Sequence, residues 1–157
     1  MRLLALLLLL GGCGLQPVYS NGSSGAAASM LAGIDVAVIE GRDGYLVRQA
    51  LLDRVGGAGG SYRLDVRLDD AISGFGVRGD DSISRERRQL RARWQLVDAA
   101  GKVIIDATAR ADSGIDVVGS EYAVVAAETA ALERLAEDIA EQIAARVALH
   151  ARSQPQP

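Results

Sequence analysis

Ser61-Tyr62-Arg63-Leu64-Asp65-Val66-Arg67-Leu68-Asp69-Asp70 decides the fold. Tyr62, Leu64, Val66 and Leu68 face one way, and Arg63, Asp65, Arg67 and Asp69 face the other. A strict period of two, with one apolar and one charged side, is the pattern of an antiparallel strand packed on a single face. The same alternation recurs downstream. Ile83 to Val97 predicts a long strand with Leu90, Ala92, Trp94 and Leu96 inward and Arg91, Arg93 and Gln95 outward. Asp98-Ala99-Ala100-Gly101-Lys102 is a short hairpin connection. It leads to a returning strand, Val103 to Ala111, with Val103, Ile105, Ala107 and Ala109 inward and Asp106, Thr108 and Arg110 outward. Ile72 to Val77 extends the first strand irregularly, Arg78-Gly79-Asp80-Asp81 is a turn, and Ser113 to Ser120 is a loop.

Upstream, Ile34, Val36 and Val38 alternate within another strand. Asp43 is positioned to cap a helix from about Gly44 to Val55 carrying Leu46, Ala50, Leu51 and Val55, ended by Gly56-Gly57-Ala58-Gly59-Gly60. At the other end, Ser120 caps a long helix from about Glu121 to Ala151. Val125, Thr129, Leu132, Ala136, Ile139, Ile143 and Val147 form its apolar stripe, widened by Leu135 and Ala140. Strand, helix, three strands, helix predicts an α/β (α+β) two-layer sandwich: a mixed, largely antiparallel sheet of about four strands with two helices on one face.

The N-terminus carries a second signal. Met1-Arg2 is followed by the apolar block Leu3 to Leu10 and then by Gly11-Gly12-Cys13, the only cysteine of the 157 residues. A basic start, a short apolar run and small residues at a cut site make an export signal. The run is far short of the roughly 20 residues that span a bilayer. Leu10-Gly11-Gly12-Cys13 resembles the bacterial lipobox, which implies removal of residues 1–12 and acylation of Cys13, with palmitate among the chains. Gly14 in place of Asp favours the outer membrane under the sorting rule that reads this position. The expected organisation is a signal peptide (1–12), a lipidated N-terminus and flexible Gly/Ser/Ala linker (13–32), one domain (33–152) and a disordered tail (153–157).

Composition excludes several classes. Loss of Arg2 leaves 16 basic and 20 acidic residues, a net charge of −4, which argues against a nucleic-acid binder. One histidine and one spent cysteine leave no metal-ligand spacing. His150 lies near the end of the last helix, where an imidazole serves the terminal carbonyls and dipole. Asp69-Asp70 and Asp80-Asp81 are adjacent acids, and adjacent residues on a strand face opposite sides. The glycine stretches lack a Walker lysine and the strand–GxGxxG–helix context. No catalytic residues, metal or cofactor beyond the lipid on Cys13 are expected.

The arginines stand apart. Arg85, Arg87, Arg88, Arg91 and Arg93 fall within nine residues, and all except Arg88 share a strand parity. Two readings are open. In one, the arginines solubilise an open sheet face and pair with Asp65, Asp69 and Asp106. In the other, they form a site for an anionic partner, such as a phosphorylated lipid head group or the acidic loops of a protein.

Together the segments resemble the lipopolysaccharide-assembly lipoprotein family (LptE), in its alphaproteobacterial form. The resemblance rests on Cys13-Gly14-Leu15-Gln16-Pro17-Val18-Tyr19, the Tyr62 strand, the Asp98 to Gly101 hairpin, and Ser120-Glu121-Tyr122-Ala123 leading into Ala126-Ala127-Glu128. Gly114-Ile115-Asp116-Val117 departs from it, where the family suggests a more polar loop. The resemblance implies a non-enzymatic, lipid-anchored protein on the periplasmic side of the outer membrane. It implies assembly with, and plugging of, a β-barrel translocon subunit of the LptD type, and contact with lipopolysaccharide through Arg85 to Arg93. Three other roles share the signal and the small domain: an accessory lipoprotein of another envelope lipid transporter, a regulator of a cell-wall synthase, and a tethered periplasmic hydrolase. Partner identity or an activity screen separates them.

Overall fold

Three long strands zip into one meander because each keeps its apolar residues in register with the next. The computed structural model of the chain describes residues 25–56, 60–77, 79, 83–117 and 120–154. Strands β1 (Ile34–Val36), β2 (Tyr62–Val77), β3 (Ile83–Asp98) and β4 (Val103–Asp116) form one sheet in the order β1-β2-β3-β4. β1 runs parallel to β2, and the other neighbours are antiparallel. Helices α1 (Ala26–Ala32), α2 (Gly41–Leu52) and α3 (Glu121–Ser153) complete the fold. α3 lies on β3 and β4 and packs against both α1 and α2. The mixed sheet, the single covered face and the helical layer are as the alternation predicts.

Rung by rung, Leu64, Leu96 and Ile105 stand abreast, as do Val66, Trp94 and Ala107, then Leu68, Ala92 and Ala109. These covered-face side chains join Leu135, Ile139, Ile143 and Val147 of α3 and Val47 and Leu51 of α2 in one core. Ala131, Ala136, Ala140 and Ala148 of α3 are also buried, so the helix approaches its neighbours closely. The β3–β4 turn is held by Asp98, whose Oδ1 accepts from the Ala100 and Lys102 N–H groups, each at 2.9 Å. Gly101 sits there at φ 82°, a backbone conformation that favours glycine.

Several boundaries move. The predicted linker ends before Ala26: residues 26–32 are helix α1, with Ala27 and Leu31 buried, a third helix that packs on α3. Two turns, mostly of alanine, show no readable periodicity, and their stability comes from packing on α3. β1 stops at Val36, and Val38, expected inward, is 83% exposed while Ile39 is buried, because the chain turns away there to start α2. α2 begins at Gly41 with Glu40 before it, so Asp43 lies in the first turn and is not the cap. β2 runs to Val77 as the irregular extension predicts, whereas β4 runs on to Asp116 through the segment expected to be a loop. Val103 is exposed because the register shifts at Leu96/Val97. The α3 stripe is buried only from Ala131 onward: Val125 is exposed and Thr129 half-buried, since the sheet beneath carries Asp70, Gly74, Glu86 and Arg88 instead of an apolar floor. Ser153 is the last residue of α3 and not part of the tail; its hydroxyl donates to the His150 carbonyl at 2.7 Å. Cys13 and the signal segment lie outside the described residues.

Candidate functional site

The pleat sends Arg85, Arg87, Arg91 and Arg93 of β3 to the face without helices, and all four are exposed. Arg88 has the opposite parity and is taken out of this group. Its Nε and Nη2 donate to the two carboxylate oxygens of Asp70 on β2 (3.0 and 2.5 Å), and its Nη1 donates to the Glu128 carbonyl of α3 (3.0 Å). The side chain is 12% exposed and Asp70 21%. The hydrogen bond with Asp70 holds the guanidinium above its ordinary pKa against the opposing effect of burial. Arg88 therefore ties β2, β3 and the first turns of α3 together where the apolar core has run out. Arg88→Ala leaves the Asp70 carboxylate without its partner and is expected to cost about 2–3 kcal/mol. A urea midpoint equal to wild type contradicts this role.

On the open face the arginines are only partly neutralised. Arg85 pairs with Asp116 at 3.1 Å, Arg87 with Asp112 at 3.8 Å and Arg93 with Asp106 at 3.4 Å. Gln95 also donates to Asp106 at 2.8 Å, and this bond, followed by Arg93, keeps that carboxyl below the usual carboxylate range. Of the acids expected as partners, only Asp106 takes an arginine of the cluster. Asp65 pairs with Arg63 on its own strand at 3.0 Å, and Asp69 makes no ion pair among the described residues. Asp112 and Asp116 stand in for them because β4 is longer than the sequence reading allowed. Phe75 adds its ring, with the Arg87 guanidinium carbon 5.6 Å from the centroid.

The middle of the face differs from its ends. One rung places Arg67, Arg93 and Thr108 abreast, and the next places Asp69, Arg91 and Arg110 abreast. Four guanidinium groups from three strands thus share two successive rungs. Arg67, Arg91 and Arg110 form no ion pair among the described residues. Arg67 stands directly across from Arg93 and Arg91 from Arg110, and like charges so placed destabilise a sheet, which leaves the block suited to an anion of several charges. Arg67 and Arg110 were absent from the sequence-level cluster. Alternation places both on the outward face, and only the register brings them beside Arg93 and Arg91.

Among the described residues no group of three acidic, histidine or cysteine side chains is arranged to hold a metal ion, and no helix is long and apolar enough to cross a membrane. His150 is half-buried in the last turn of α3, its Nε2 3.1 Å from the Gln154 amide nitrogen.

The family model LptE, lipopolysaccharide-assembly, matches residues 31–147. No curated protein matches the chain. Among solved structures, a candidate lipoprotein from Caulobacter crescentus superposes with a TM-score of 0.67 at 26% identity, over 85% of this chain and 100% of that one. An uncharacterized lipoprotein B from Nitrosomonas europaea gives 0.60 at 11% identity, over 76% of this chain and 84% of that one. A minor lipoprotein from Acinetobacter baumannii gives 0.56 at 15% identity, over 80% and 99%. The last two share the fold.

Proposed function

The chain belongs to the lipopolysaccharide-assembly (LptE) family, and from that premise we propose that it is an outer-membrane lipoprotein, anchored through Cys13, that plugs a β-barrel translocon and hands lipopolysaccharide to it. It does so without covalent chemistry. The family match covers the whole sheet, which carries the arginine face, and most of α3. Lipid contact rests on one observation, the block of Arg67, Arg91, Arg93 and Arg110 on two adjacent rungs with one ion-pair partner among the described residues. Guanidinium forks match phosphate oxygens in charge and geometry, and a phosphorylated glycolipid head supplies several phosphates at once.

Two experiments test the proposal. Tagged full-length protein purified from detergent-solubilised envelopes is expected to bring down one large outer-membrane β-barrel in near-equal amount. Transporter subunits or a cell-wall synthase in its place refute the barrel reading. Separately, the double reversal Arg91→Glu/Arg93→Glu is expected to weaken lipopolysaccharide binding at least about tenfold at low salt, where exposed charges are least screened. Unchanged binding in low salt removes the lipid contact and leaves the face as a solubilising surface.

A further inference from the structure

The sheet has two edges, and only one of them is closed. On β4 the outward-facing N–H and carbonyl of Arg110 are taken by the Gln142 side chain of α3, at 3.3 and 3.0 Å. Asp106, Asp112 and Asp116 place charge along the same edge. Charge and a covering side chain are the usual means of blunting an edge strand.

The β2 edge is treated differently. β1 covers it only from Tyr62 to Leu64, and the last rung is the Ala37 N–H donating to the Leu64 carbonyl at 3.0 Å. The chain then peels away towards α2, leaving a cavity of about 800 Å³ whose lining includes Val66 and Leu68, the cations Arg67 and Arg93, and the acids Glu40, Asp43 and Asp65. Tyr62 N–H and Leu64 C=O both point at β1, so every even-numbered residue of β2 points its backbone outward. From Val66 to Gly74 these outward groups make no hydrogen bond among the described residues. The edge carries Arg67, Asp69 and Asp70 but no lysine or proline and, among the described residues, no covering side chain, and it exposes Ile72 (45%) and Phe75 (41%). Beside it, Arg67 has no ion pair among the described residues, and Arg91 and Arg93 stand directly behind.

We infer that the β2 edge from Val66 to Gly74 accepts one added strand from a protein partner. That strand is an extended segment with apolar residues beside Leu68 and Ile72 and an acid opposite Arg67. Its backbone satisfies the outward groups, and its acid supplies the charge that Arg67 lacks. The inference rests on the barrel reading above and names the surface of this chain that docks the barrel subunit.

The test compares barrel recovery with tagged full-length protein from solubilised envelopes, wild type against Ile72→Pro and Ile72→Ala. The Ile72 N–H points out of the edge, so proline removes a donor that the free domain leaves unused, and an edge strand tolerates it. Ala71→Pro, one residue away, removes an N–H from the β2–β3 ladder and is expected to unfold the hairpin. Barrel recovery with Ile72→Pro is expected to fall at least tenfold while Ile72→Ala keeps most of it. A folded Ile72→Pro protein that recovers the barrel at wild-type level overturns the inference and leaves the barrel reading intact. A wild-type protein that recovers no barrel overturns both. Should Ile72→Pro not fold, amide exchange of the wild type decides. Leu68 and Ile72 amides exchanging at least tenfold more slowly in the complex than in the free protein support the strand. Equal rates overturn it, as they would if a lipid chain filled the cavity. Protection already present in the free protein overturns it too, since the chain's own residues would then occupy the edge.

Discussion

Trp94→Ala is expected to cost about 3–5 kcal/mol, a large share of the 5–15 kcal/mol typical of a whole domain. Trp94 is 2% exposed at the centre of β3, with Val66 and Ala107 abreast of it on the neighbouring strands. Its indole is the largest fully buried side chain, in a chain with one Trp and one Phe. The surrounding core is unusually poor in means of repair. Ala92, Ala107 and Ala109 on the sheet and Ala131, Ala136 and Ala140 on α3 carry no flexible side chain that could swing into the space. Cost at fixed chemistry depends on how far a site can collapse, so the upper part of the range is expected here. Trp94→Phe keeps most of the volume and is expected to cost less than half as much. Urea unfolding followed by circular dichroism measures both, since the variants lack the only tryptophan fluorophore. A cost below about 1 kcal/mol for the alanine variant would show that the helices do not depend on this contact.

The sheet was legible because alternation is a local property with a physical cause. Tyr62 to Leu68 and Leu90 to Leu96 state their faces residue by residue, and the structure pairs them in register. What was illegible depended on neighbours. Asp112 and Asp116 alternate with Ala111, Ser113 and Ile115 just as Asp106 and Arg110 do with Ile105 and Ala109, yet small and polar residues at those positions suggested a loop. Pairing with Arg85 to Gln89 makes that stretch a strand. α1 was invisible for the same reason, since seven residues without a stripe become a helix only against α3. Val38 failed in the opposite sense: a legible alternation was cut short because the chain had to leave the edge to begin α2.

The candidate site was half legible. Parity alone sorted Arg85, Arg87, Arg91 and Arg93 from Arg88. Parity could not reveal that Arg88 is a tie between three elements, because its partners lie 18 and 40 residues away. Nor could it reveal which arginines are free for a ligand. That depends on which acids stand across the strands, and register is a tertiary fact. The structure shifts the weight of the face from its Arg85 and Arg87 end, where Asp116 and Asp112 neutralise charge, to the two central rungs.

Cys13→Ser is expected to have the largest effect of any single substitution, on location and not on stability. Position 13 precedes the start of α1 at Ala26, and the core residues among those described lie at Ala27 or beyond. The Ser variant should therefore match wild type in circular dichroism and unfolding midpoint. Its location should change completely. Each buried methylene contributes about 0.8 kcal/mol, so one acyl chain binds a membrane reversibly, with an association constant of about 10⁴ M⁻¹, whereas two or more anchor stably. Under the proposed lipidation of Cys13, serine removes the thiol that would carry the first chain. Wild type is expected in the membrane pellet after a carbonate wash and the variant in the supernatant. The wash matters because a barrel partner could itself retain the protein, and such retention does not survive stripping of peripheral proteins. Incorporation of labelled palmitate into wild type but not Cys13→Ser gives an independent readout. Continued tight membrane association of the variant after the wash, with no label in either protein, would remove the lipidation of Cys13, while leaving the arginine face and the β2 edge to be judged by their own experiments.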